Sequence, residues 1–354
     1  MSKAIETLVR PEVLNLKPYM PAKNIQDAVR LNANESPYCV TDQAKKDGLN
    51  LYPDAVPIKI RKRISQYLDM DEENCVITRG STEAIDVLLR VFCQPNIDEI
   101  IIFPPTFEMY QFYAAIQGVS IKSIPLLEAK NYEINLELLG SELCTQSKLI
   151  FIPSPSNPTG QTISKDSIFK ACDMAKDFGL VILDLAYIEF ADEDITKEIL
   201  ATYSNVVVLR TLSKAFGLAG SRCGVLLASS EISNYVMRVL PPYSFSKPAE
   251  KSILEALTEN GIKTSKLNIN EIIKERMYLE EAFTNIGCIK KIHKSSANFI
   301  LVQVKNADQF CDKAKEYGLL LRNVSYQPTL SNCVRITVGT RKQNDLLIEG
   351  IKTL

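Results

Sequence analysis

A lysine follows a serine at the end of an apolar run in the stretch TLSKAFGLAGSRCG, which extends from Thr211 to Gly224. Lys214 comes directly after Ser213, and Arg222 lies eight residues further along the chain. A lysine kept away from water has a lowered pKa, so its free amine can attack a carbonyl carbon. A hydroxyl and a guanidinium beside it are donors suited to a phosphate group. This spacing therefore indicates a reactive lysine next to an anion site.

Other polar residues follow apolar runs in the same way. Asp184 ends the run LVILD and Tyr187 comes soon after it, Asn157 follows KLIFIP, and VITR ends at Arg79 before a helix opens at Gly80. The carboxyl ends of parallel strands meet at one edge of a sheet, where ligands of such sheets bind. We therefore expect these polar groups to lie close to Lys214.

The chemistry of this set fits one cofactor. A carboxylate such as Asp184 can hold a pyridinium nitrogen protonated, and the side chains of Asn157 and Tyr187 can both hydrogen-bond a ring hydroxyl. The turn GSTE offers free backbone N–H groups at a helix start, and Ser213 and Arg222 add further phosphate donors. Taken singly, each residue is more often a surface charge or a helix cap. Their joint order along one edge indicates a pocket for pyridoxal 5'-phosphate.

The elements that position these residues form a regular pattern. Seven short β-type runs between positions 74 and 229 alternate with amphipathic helical segments: CVITR, EIIIF, VSIKSI, KLIFIP, LVILD, VVVLR and GVLLA. Such alternation is typical of a mostly parallel sheet that is covered by helices on both faces. The sequence therefore predicts an α/β fold with a seven-stranded sheet.

The domain organisation is predicted from a proline-rich break and a change of pattern. The stretch VLPPYSFSKP, positions 239–248, separates a large cofactor-binding domain, 36–245, from a small α+β domain, 246–354. The small domain would contain a long helix over 266–287 and the strands NFILVQV, GLLLR and CVRITVG. Residues 1–35 lack clear periodicity and are predicted to form an N-terminal arm.

Composition excludes several classes of function. The chain of 354 residues has 41 basic and 42 acidic residues without a block of either sign, so neither nucleic acid nor membrane is an expected partner. Nine cysteines without a C-x-x-C pair favour reduced thiols in a cytoplasmic protein, and we expect no metal site. His293 is the only histidine, which excludes multi-histidine metal sites, and we expect it on the surface.

Eight short motifs occur in order across almost the whole chain: LNANESP, LYPD, GSTEAI, PPTFEMY, PSNPTG, DLAYIEF, TLSKAFGLAGSRCG and VRITVGT. This set resembles that of the class I/II aminotransferases of fold type I, and the lysine motif is its most specific part. The resemblance implies a pyridoxal-phosphate-dependent transferase with a large domain, whose seven-stranded sheet lies between helices, and a smaller α+β domain. It also implies a homodimer that acts on small molecules.

The resemblance also implies roles for single residues. Lys214 would bind the cofactor covalently, Asp184 would pair with its ring nitrogen, and Tyr187 would act with them in catalysis. Tyr110 would stack on the ring, and Tyr52 would reach the phosphate of the partner subunit. The full implied cofactor set is Tyr52, Ser81, Thr82, Glu83, Tyr110, Asn157, Asp184, Tyr187, Thr211, Ser213, Lys214 and Arg222.

The substrate side follows from the same resemblance. Tyr19, Arg322 and Arg335 would line the substrate mouth, where arginine suits carboxylate and phosphate groups. The motifs are closest to the branch of the family that exchanges an amino group between glutamate and a phosphorylated amino alcohol. Leu185 stands where the family usually has an acidic residue. Three alternatives stay open: an aromatic aminotransferase, a decarboxylase of a phosphorylated amino acid, and a non-catalytic sensor of the cofactor.

Overall fold

The larger of two sheets in the computed structural model has seven strands. The structure describes residues 4–17, 19, 29–352 and 354. The strands are β1 (Cys75–Thr78), β2 (Glu99–Ile102), β3 (Ser120–Ser123), β4 (Ser147–Pro153), β5 (Leu180–Asp184), β6 (Val206–Thr211) and β7 (Gly224–Leu227). Their spatial order is β1-β7-β6-β5-β4-β2-β3, and β7 runs antiparallel to both of its neighbours. The predicted α/β class is confirmed, and each of the seven predicted strands is present.

Thirteen α-helices are assigned in the described residues, and they are numbered here in chain order. They are α1 (Pro11–Leu14), α2 (Asp42–Lys46), α3 (Ile58–Leu68), α4 (Ser81–Phe92), α5 (Met109–Ile116), α6 (Leu136–Glu142), α7 (Lys165–Ala175), α8 (Thr196–Thr202), α9 (Ser230–Val239), α10 (Lys247–Ala256), α11 (Glu259–Phe283), α12 (Ala307–Glu316) and α13 (Arg341–Ile351).

Helices cover both faces of the larger sheet. On one face, the α4–α9 core contains residues such as Ile85, Leu88, Phe92, Ile182 and Leu209. On the other face, the α3–α7 core contains residues such as Ile60, Ile64, Ile168, Leu183 and Val208. Alternate residues of β5 and β6 enter alternate cores, because successive side chains of a strand point to opposite faces. This alternation decides on which side of the sheet each polar residue at a strand end lies.

The smaller sheet is antiparallel, in the order β10-β11-β9-β8. Its strands are β8 (Ile289–Ile292), β9 (Phe299–Val304), β10 (Arg322–Asn323) and β11 (Cys333–Thr337). One face packs on α11, α12 and α13 through residues such as Phe283, Phe310 and Leu347. From the opposite face, Leu301 and Cys333 enter the α3–α7 core. The smaller sheet is therefore packed directly against the larger unit.

Two predicted elements differ in the structure. The run GLLLR forms a strand only at Arg322, and Leu319 and Leu321 pack against the core between the smaller sheet and its helices. The long helix begins at Glu259, seven residues before its predicted start. In the predicted N-terminal arm, Ile5, Leu8, Val9 and Val13 are buried in the α4–α9 core.

His293 is buried, so its predicted place on the surface is wrong. Its side chain is 3% exposed, and its ring lies 5.6 Å from the ring of Tyr132, which comes from the large unit. Burial, followed by the nearby charge of Lys291, lowers the pKa of His293 to about 4. The residue is therefore a neutral packing group at the contact between the two sheets.

Two kinds of feature are absent from the part of the chain that the structure describes. No helix there has the length and apolar character required to cross a lipid bilayer. No group of three or more histidine, cysteine, aspartate or glutamate side chains there is arranged to hold a metal ion.

Candidate active site

A cavity of about 390 Å³ opens at the carboxyl edge of the larger sheet. The ends of β4, β5 and β6 meet there, as the parallel order requires. Because β7 runs the other way, its start faces the same edge and places Arg222 there. Twelve of the residues singled out from the sequence line this cavity: Ser81, Thr82, Tyr110, Asn157, Asp184, Tyr187, Thr211, Ser213, Lys214, Arg222, Arg322 and Arg335.

Lys214 places its amine in this cavity. Its amine lies 5.6 Å from the centre of the Tyr187 ring. Burial lowers the pKa of Lys214, and the positive charges of Arg335 and Arg222 lower it further, whereas Asp184 opposes them. A lowered pKa makes the neutral, nucleophilic amine available at a higher fraction near neutral pH.

Asp184 ends β5 on the face of the α4–α9 core, and its side chain is buried. One carboxylate oxygen accepts a hydrogen bond of 2.8 Å from the hydroxyl of Tyr110, and the other accepts one of 3.2 Å from the backbone N–H of Ala186. Burial raises the pKa of Asp184 to about 6, although both hydrogen bonds act against this rise. A cation placed beside this carboxylate would therefore be strongly favoured.

The start of α4 forms a cradle for an anion. Gly80, just before the helix, has a φ of +78°, and a Cβ atom there would lie 2.5 Å from a guanidinium nitrogen of Arg222. A Cβ atom on Gly224 would lie 2.7 Å from the backbone nitrogen of Ser81. Both glycines are needed for this close approach, which brings Arg222 up to the free N–H groups of a helix start.

Hydroxyl groups complete the cradle. Thr211 Oγ1 donates to Ser213 Oγ at 2.9 Å, and the backbone N–H of Ser213 donates to Thr211 Oγ1. Thr82 Oγ1 lies 3.5 Å from a guanidinium nitrogen of Arg222. Backbone N–H groups, hydroxyls and one guanidinium therefore converge in the arrangement that binds phosphate in other proteins.

Arg335 reaches the cavity from β11 of the smaller sheet. It donates a short hydrogen bond to Oδ1 of Asn157 and lies over the ring of Phe299, 5.5 Å from its centre. Phe299 also meets the ring of Tyr187 edge-on at 5.2 Å. Burial raises the pKa of Tyr187 to about 12, while Arg335 lowers it, so the phenol stays protonated. The smaller sheet thus contributes a cation to a cavity that the larger sheet forms.

The mouth of the cavity contains groups that the sequence did not reveal. Arg322 lies 3.6 Å from the carboxylate of Glu108 and 3.2 Å from the hydroxyl of Tyr326. The side-chain amide of Gln327 makes two hydrogen bonds with the backbone of Thr106, of 3.0 and 3.1 Å. Glu108, Tyr326 and Gln327 lie in irregular segments without periodicity. Only the position of Glu108 within the motif PPTFEMY could have indicated it.

Three of the implied residues do not line the cavity of their own chain. Glu83 accepts hydrogen bonds from the backbone N–H and the guanidinium of Arg79, so it acts on the turn before α4. Tyr52 is 50% exposed and packs against Tyr243 at 4.9 Å, and Tyr19 lies beside that same Tyr243. Their roles in binding stay predictions.

The comparisons with known proteins agree with this geometry. The family model for aminotransferase class I and II matches residues 13–351. Histidinol-phosphate aminotransferase of Escherichia coli O81 (strain ED1a) is 37% identical over 350 residues, which are 98% of this chain and 98% of that protein. The chain therefore belongs to the class I and II aminotransferases.

Solved structures show the same fold. Histidinol-phosphate aminotransferase from Clostridium acetobutylicum superposes with a TM-score of 0.76 at 25% identity, over 88% of this chain and 93% of that one. The enzyme from Sinorhizobium meliloti, solved in complex with pyridoxal-5'-phosphate, gives a TM-score of 0.75 at 21% identity, over 88% and 84% of the two chains.

The residues of the cavity fit pyridoxal phosphate, the cofactor of this family. Asp184 is a buried carboxylate for which burial makes a cationic neighbour favourable. At the cradle, a side chain at Gly80 would collide with Arg222. The guanidinium of Arg222 and the backbone N–H groups at the start of α4 are donors for a phosphate. Lys214 lies in the same cavity with a lowered pKa. The ring nitrogen, the phosphate and the aldehyde of the cofactor therefore each have a matching group in this chain.

Proposed function

We propose that the chain is a histidinol-phosphate aminotransferase, which moves the amino group of L-glutamate to imidazole acetol phosphate in histidine biosynthesis. The products are L-histidinol phosphate and 2-oxoglutarate. One observation supports this most directly: Lys214, with its lowered pKa, shares a cavity with the buried Asp184 and with arginines from both sheets. The identity of 37% to the Escherichia coli enzyme over nearly the whole chain supports the choice of substrate.

Different residues would hold different parts of the cofactor. Ser81, Thr82, Ser213 and Arg222 would hold the cofactor phosphate, and Asp184 would keep the ring nitrogen protonated. Pyridoxal phosphate, when bound, supplies a conjugated ring that accepts the electron pair released at the substrate α-carbon.

Proton transfer falls to the lysine. Nζ of Lys214 would take the proton from the α-carbon of the amino donor and return one on the way to the product. This role needs an amine that is neutral near pH 7, which the burial of Lys214 and its neighbouring arginines favour. Asn157 and Tyr187 would hold the ring oxygen from the side on which Arg335 approaches.

Arginines at the mouth would recognise the substrate anions. Arg335, fixed by Asn157, would bind the carboxylate of glutamate and the phosphate of the second substrate in turn. Arg322 is more exposed and already lies near Glu108, so it would act mainly on the bulkier, doubly charged phosphate.

A substrate panel tests the proposal. The purified protein, loaded with pyridoxal phosphate, is assayed with histidinol phosphate, phenylalanine and O-phosphothreonine as amino donors to 2-oxoglutarate, and both glutamate formation and release of CO2 are measured. We expect transamination of histidinol phosphate with the highest kcat/KM. A preference for phenylalanine would favour an aromatic aminotransferase, and CO2 release would favour a decarboxylase.

Two lysine variants identify the residue that holds the cofactor. Lys214→Ala should abolish the visible absorbance of the bound cofactor and all turnover, and no adduct should form with borohydride. Lys148→Ala is the matched control, because Lys148 is also a half-buried lysine but lies at the opposite edge of the sheet, near Asp98. A reducible adduct in Lys214→Ala would remove Lys214 from this role.

We propose further that the chain acts as a homodimer in which Tyr52 reaches the phosphate site of the partner. Large apolar side chains are exposed on the segment before α3, among them Leu31, Tyr38, Val40 and Tyr52. A second copy could cover them. Mixed dimers of Tyr52→Phe and Lys214→Ala, if each is inactive alone, should regain activity, since one of their two sites is intact. Absence of rescue after verified mixing would contradict the shared site.

We place the enzyme in the cytoplasm. All nine cysteines are free, and six of them are buried, which suits a reducing compartment. Fractionation of cells that express the tagged protein tests this placement.

A further inference from the structure

A buried ion pair connects the end of β6, just before Lys214, with the turn that follows Asp184. Nη2 of Arg210 lies 2.8 Å from Oε1 of Glu189, and the two side chains are only 6% and 8% exposed. Nη1 of Arg210 lies 2.7 Å from Oδ2 of Asp194. The guanidinium therefore holds two carboxylates at once through the two arms of its planar fork.

The chain positions of the pair are close to the reactive groups. Asp184 ends β5, and Glu189 follows it by five residues. Arg210 lies near the end of β6, four residues before Lys214. By the alternation of the strand, Arg210 lies on the face of the α3–α7 core, whereas Asp184 faces the α4–α9 core. Arg210 and Glu189 do not line the cavity. They do not touch its contents, but they fix the backbone on which Asp184 and Lys214 stand.

A second contact extends the same support to the residues after the lysine. The ring of Phe216, two residues after Lys214, meets the ring of Tyr67 on α3 edge-on at 5.3 Å. Tyr67 lines the same small gap as Glu189 and Arg210, and burial followed by the charge of Glu189 raises the pKa of Tyr67. The lysine loop is therefore supported on both sides of Lys214 by one buried group of residues behind the sheet.

Stability alone does not account for this pair. Removing two charges from water costs free energy that their attraction only partly returns, and an apolar pair of similar size is often as stable or more stable. Among the described residues, Arg210 is the single lysine or arginine in the buried core. The guanidinium of Arg210 adds a fixed geometry between the end of β6 and the turn after β5.

We propose that the Arg210–Glu189 pair is a positioning device that sets the placement of Lys214 relative to Asp184. This inference rests on the proposed function, since it assumes that both residues act on one bound cofactor. Neither member of the pair touches the cofactor or the substrate.

Two variants of the loaded enzyme separate positioning from stability. Glu189→Gln removes one charge of the pair, whereas Arg210→Met/Glu189→Met replaces the pair by apolar side chains of similar size. Glu275→Gln is the control, because Glu275 is also a buried carboxylate, 2.8 Å from Arg341, and lies on α11 away from the cavity. For each protein, we would measure the Tm, the affinity of the cofactor-free form for pyridoxal phosphate, the midpoint of the pH titration of cofactor absorbance, and kcat.

The expected pattern differs between the variants. Glu189→Gln and Glu275→Gln should both lower the Tm, but only Glu189→Gln should move the absorbance midpoint and weaken cofactor binding. The double variant should regain the Tm while kcat stays about 10- to 100-fold low, because small misplacements of reacting groups have effects of this size.

Three results would overturn the inference. They are a double variant with the wild-type midpoint and kcat, a double variant that does not fold, and an equal shift of the midpoint in Glu275→Gln. If the wild-type protein does not bind pyridoxal phosphate at all, the proposed function itself is wrong, and this result is obtained before any variant is compared.

Discussion

The hydroxyl of Tyr110 donates a hydrogen bond of 2.8 Å to Oδ2 of Asp184, and both side chains are buried. The ring of Tyr110 stacks on Phe151 with the ring centres 4.7 Å apart. Besides any stacking on a cofactor, the tyrosine therefore orients the carboxylate of Asp184. Its hydrogen bond also favours the charged form of that carboxylate, whereas burial favours the neutral form.

Tyr110→Phe should raise the pKa of Asp184 above its present value of about 6, because the variant keeps the ring and removes the donor. Cofactor binding needs the ionised carboxylate. As the pH falls, binding should therefore begin to weaken at a higher pH in the variant than in the wild type. The measurement is the affinity of the cofactor-free protein for pyridoxal phosphate between pH 5 and 8. Tyr113→Phe, on the same helix, is the control. An unchanged pH dependence in Tyr110→Phe would show that the hydrogen bond is unimportant.

Asp184→Asn should make the cofactor-free protein more stable while it removes most of the activity. Because the folded state raises the pKa of Asp184 from 3.8 to about 6, the folded protein binds more protons between these values. Above pH 6, the buried charge destabilises the fold by roughly 3 kcal/mol, and this cost disappears below pH 4. Urea unfolding at pH 7.5 and at pH 3.5 checks this. Equal stability of both proteins at pH 7.5 would contradict it.

Arg335→Leu should weaken both half-reactions, since each substrate loses a charge-assisted hydrogen bond of about 1.5–3 kcal/mol. Arg322→Leu should weaken mainly the reaction of the phosphorylated substrate. Glu108→Gln should strengthen that reaction, because it frees Arg322 from a competing carboxylate 3.6 Å away. Single-turnover rates against substrate concentration, followed through the cofactor absorbance, give the three comparisons. If both arginine variants lose only an aromatic amino acid, the aromatic aminotransferase is the better assignment.

His293→Leu should make the protein less sensitive to mild acid. Folding lowers the pKa of His293 from 6.5 to about 4, so the unfolded chain binds the extra proton between these values. The wild type therefore loses stability as the pH falls from 6.5 to 4, and the variant lacks this loss. The ring of Tyr132 and the positive charge of Lys291 lie beside His293, and burial raises the pKa of Tyr132 far above this range. The Tm at pH 7.5, 5.5 and 4.5 is the measurement, and parallel curves for both proteins would refute the expectation.

The sequence predicted the larger sheet and its polar edge because both depend on local patterns. Most of its strands are short apolar runs bounded by polar or glycine-containing turns, Asp184 ends such a run, and Ser213 and Lys214 follow another. A mostly parallel order then brings their ends together whatever the remaining contacts are.

The features that the sequence did not reveal depend on contacts between distant parts of the chain. His293 is buried by Tyr132, which lies 161 residues before it, and Gln327 bonds the backbone of Thr106, 221 residues away. In β8 (Ile289–Ile292), two central lysines weaken the apolar signal of the strand. The Arg210–Glu189 pair is equally invisible in the sequence, since Arg210 follows four apolar residues of a buried strand.

The reversed direction of β7 has a consequence for engineering. The connection between β6 and β7 leaves and returns at the same edge, so the distance between Lys214 and Arg222 is fixed by the length of one loop. Insertional mutagenesis should therefore be tolerated very unevenly. Residues added between Lys214 and Arg222 would separate the reactive amine from the anion cradle. An affinity tag or a reporter peptide inserted at Gly118, an exposed turn before β3 at the opposite edge, would leave that spacing intact.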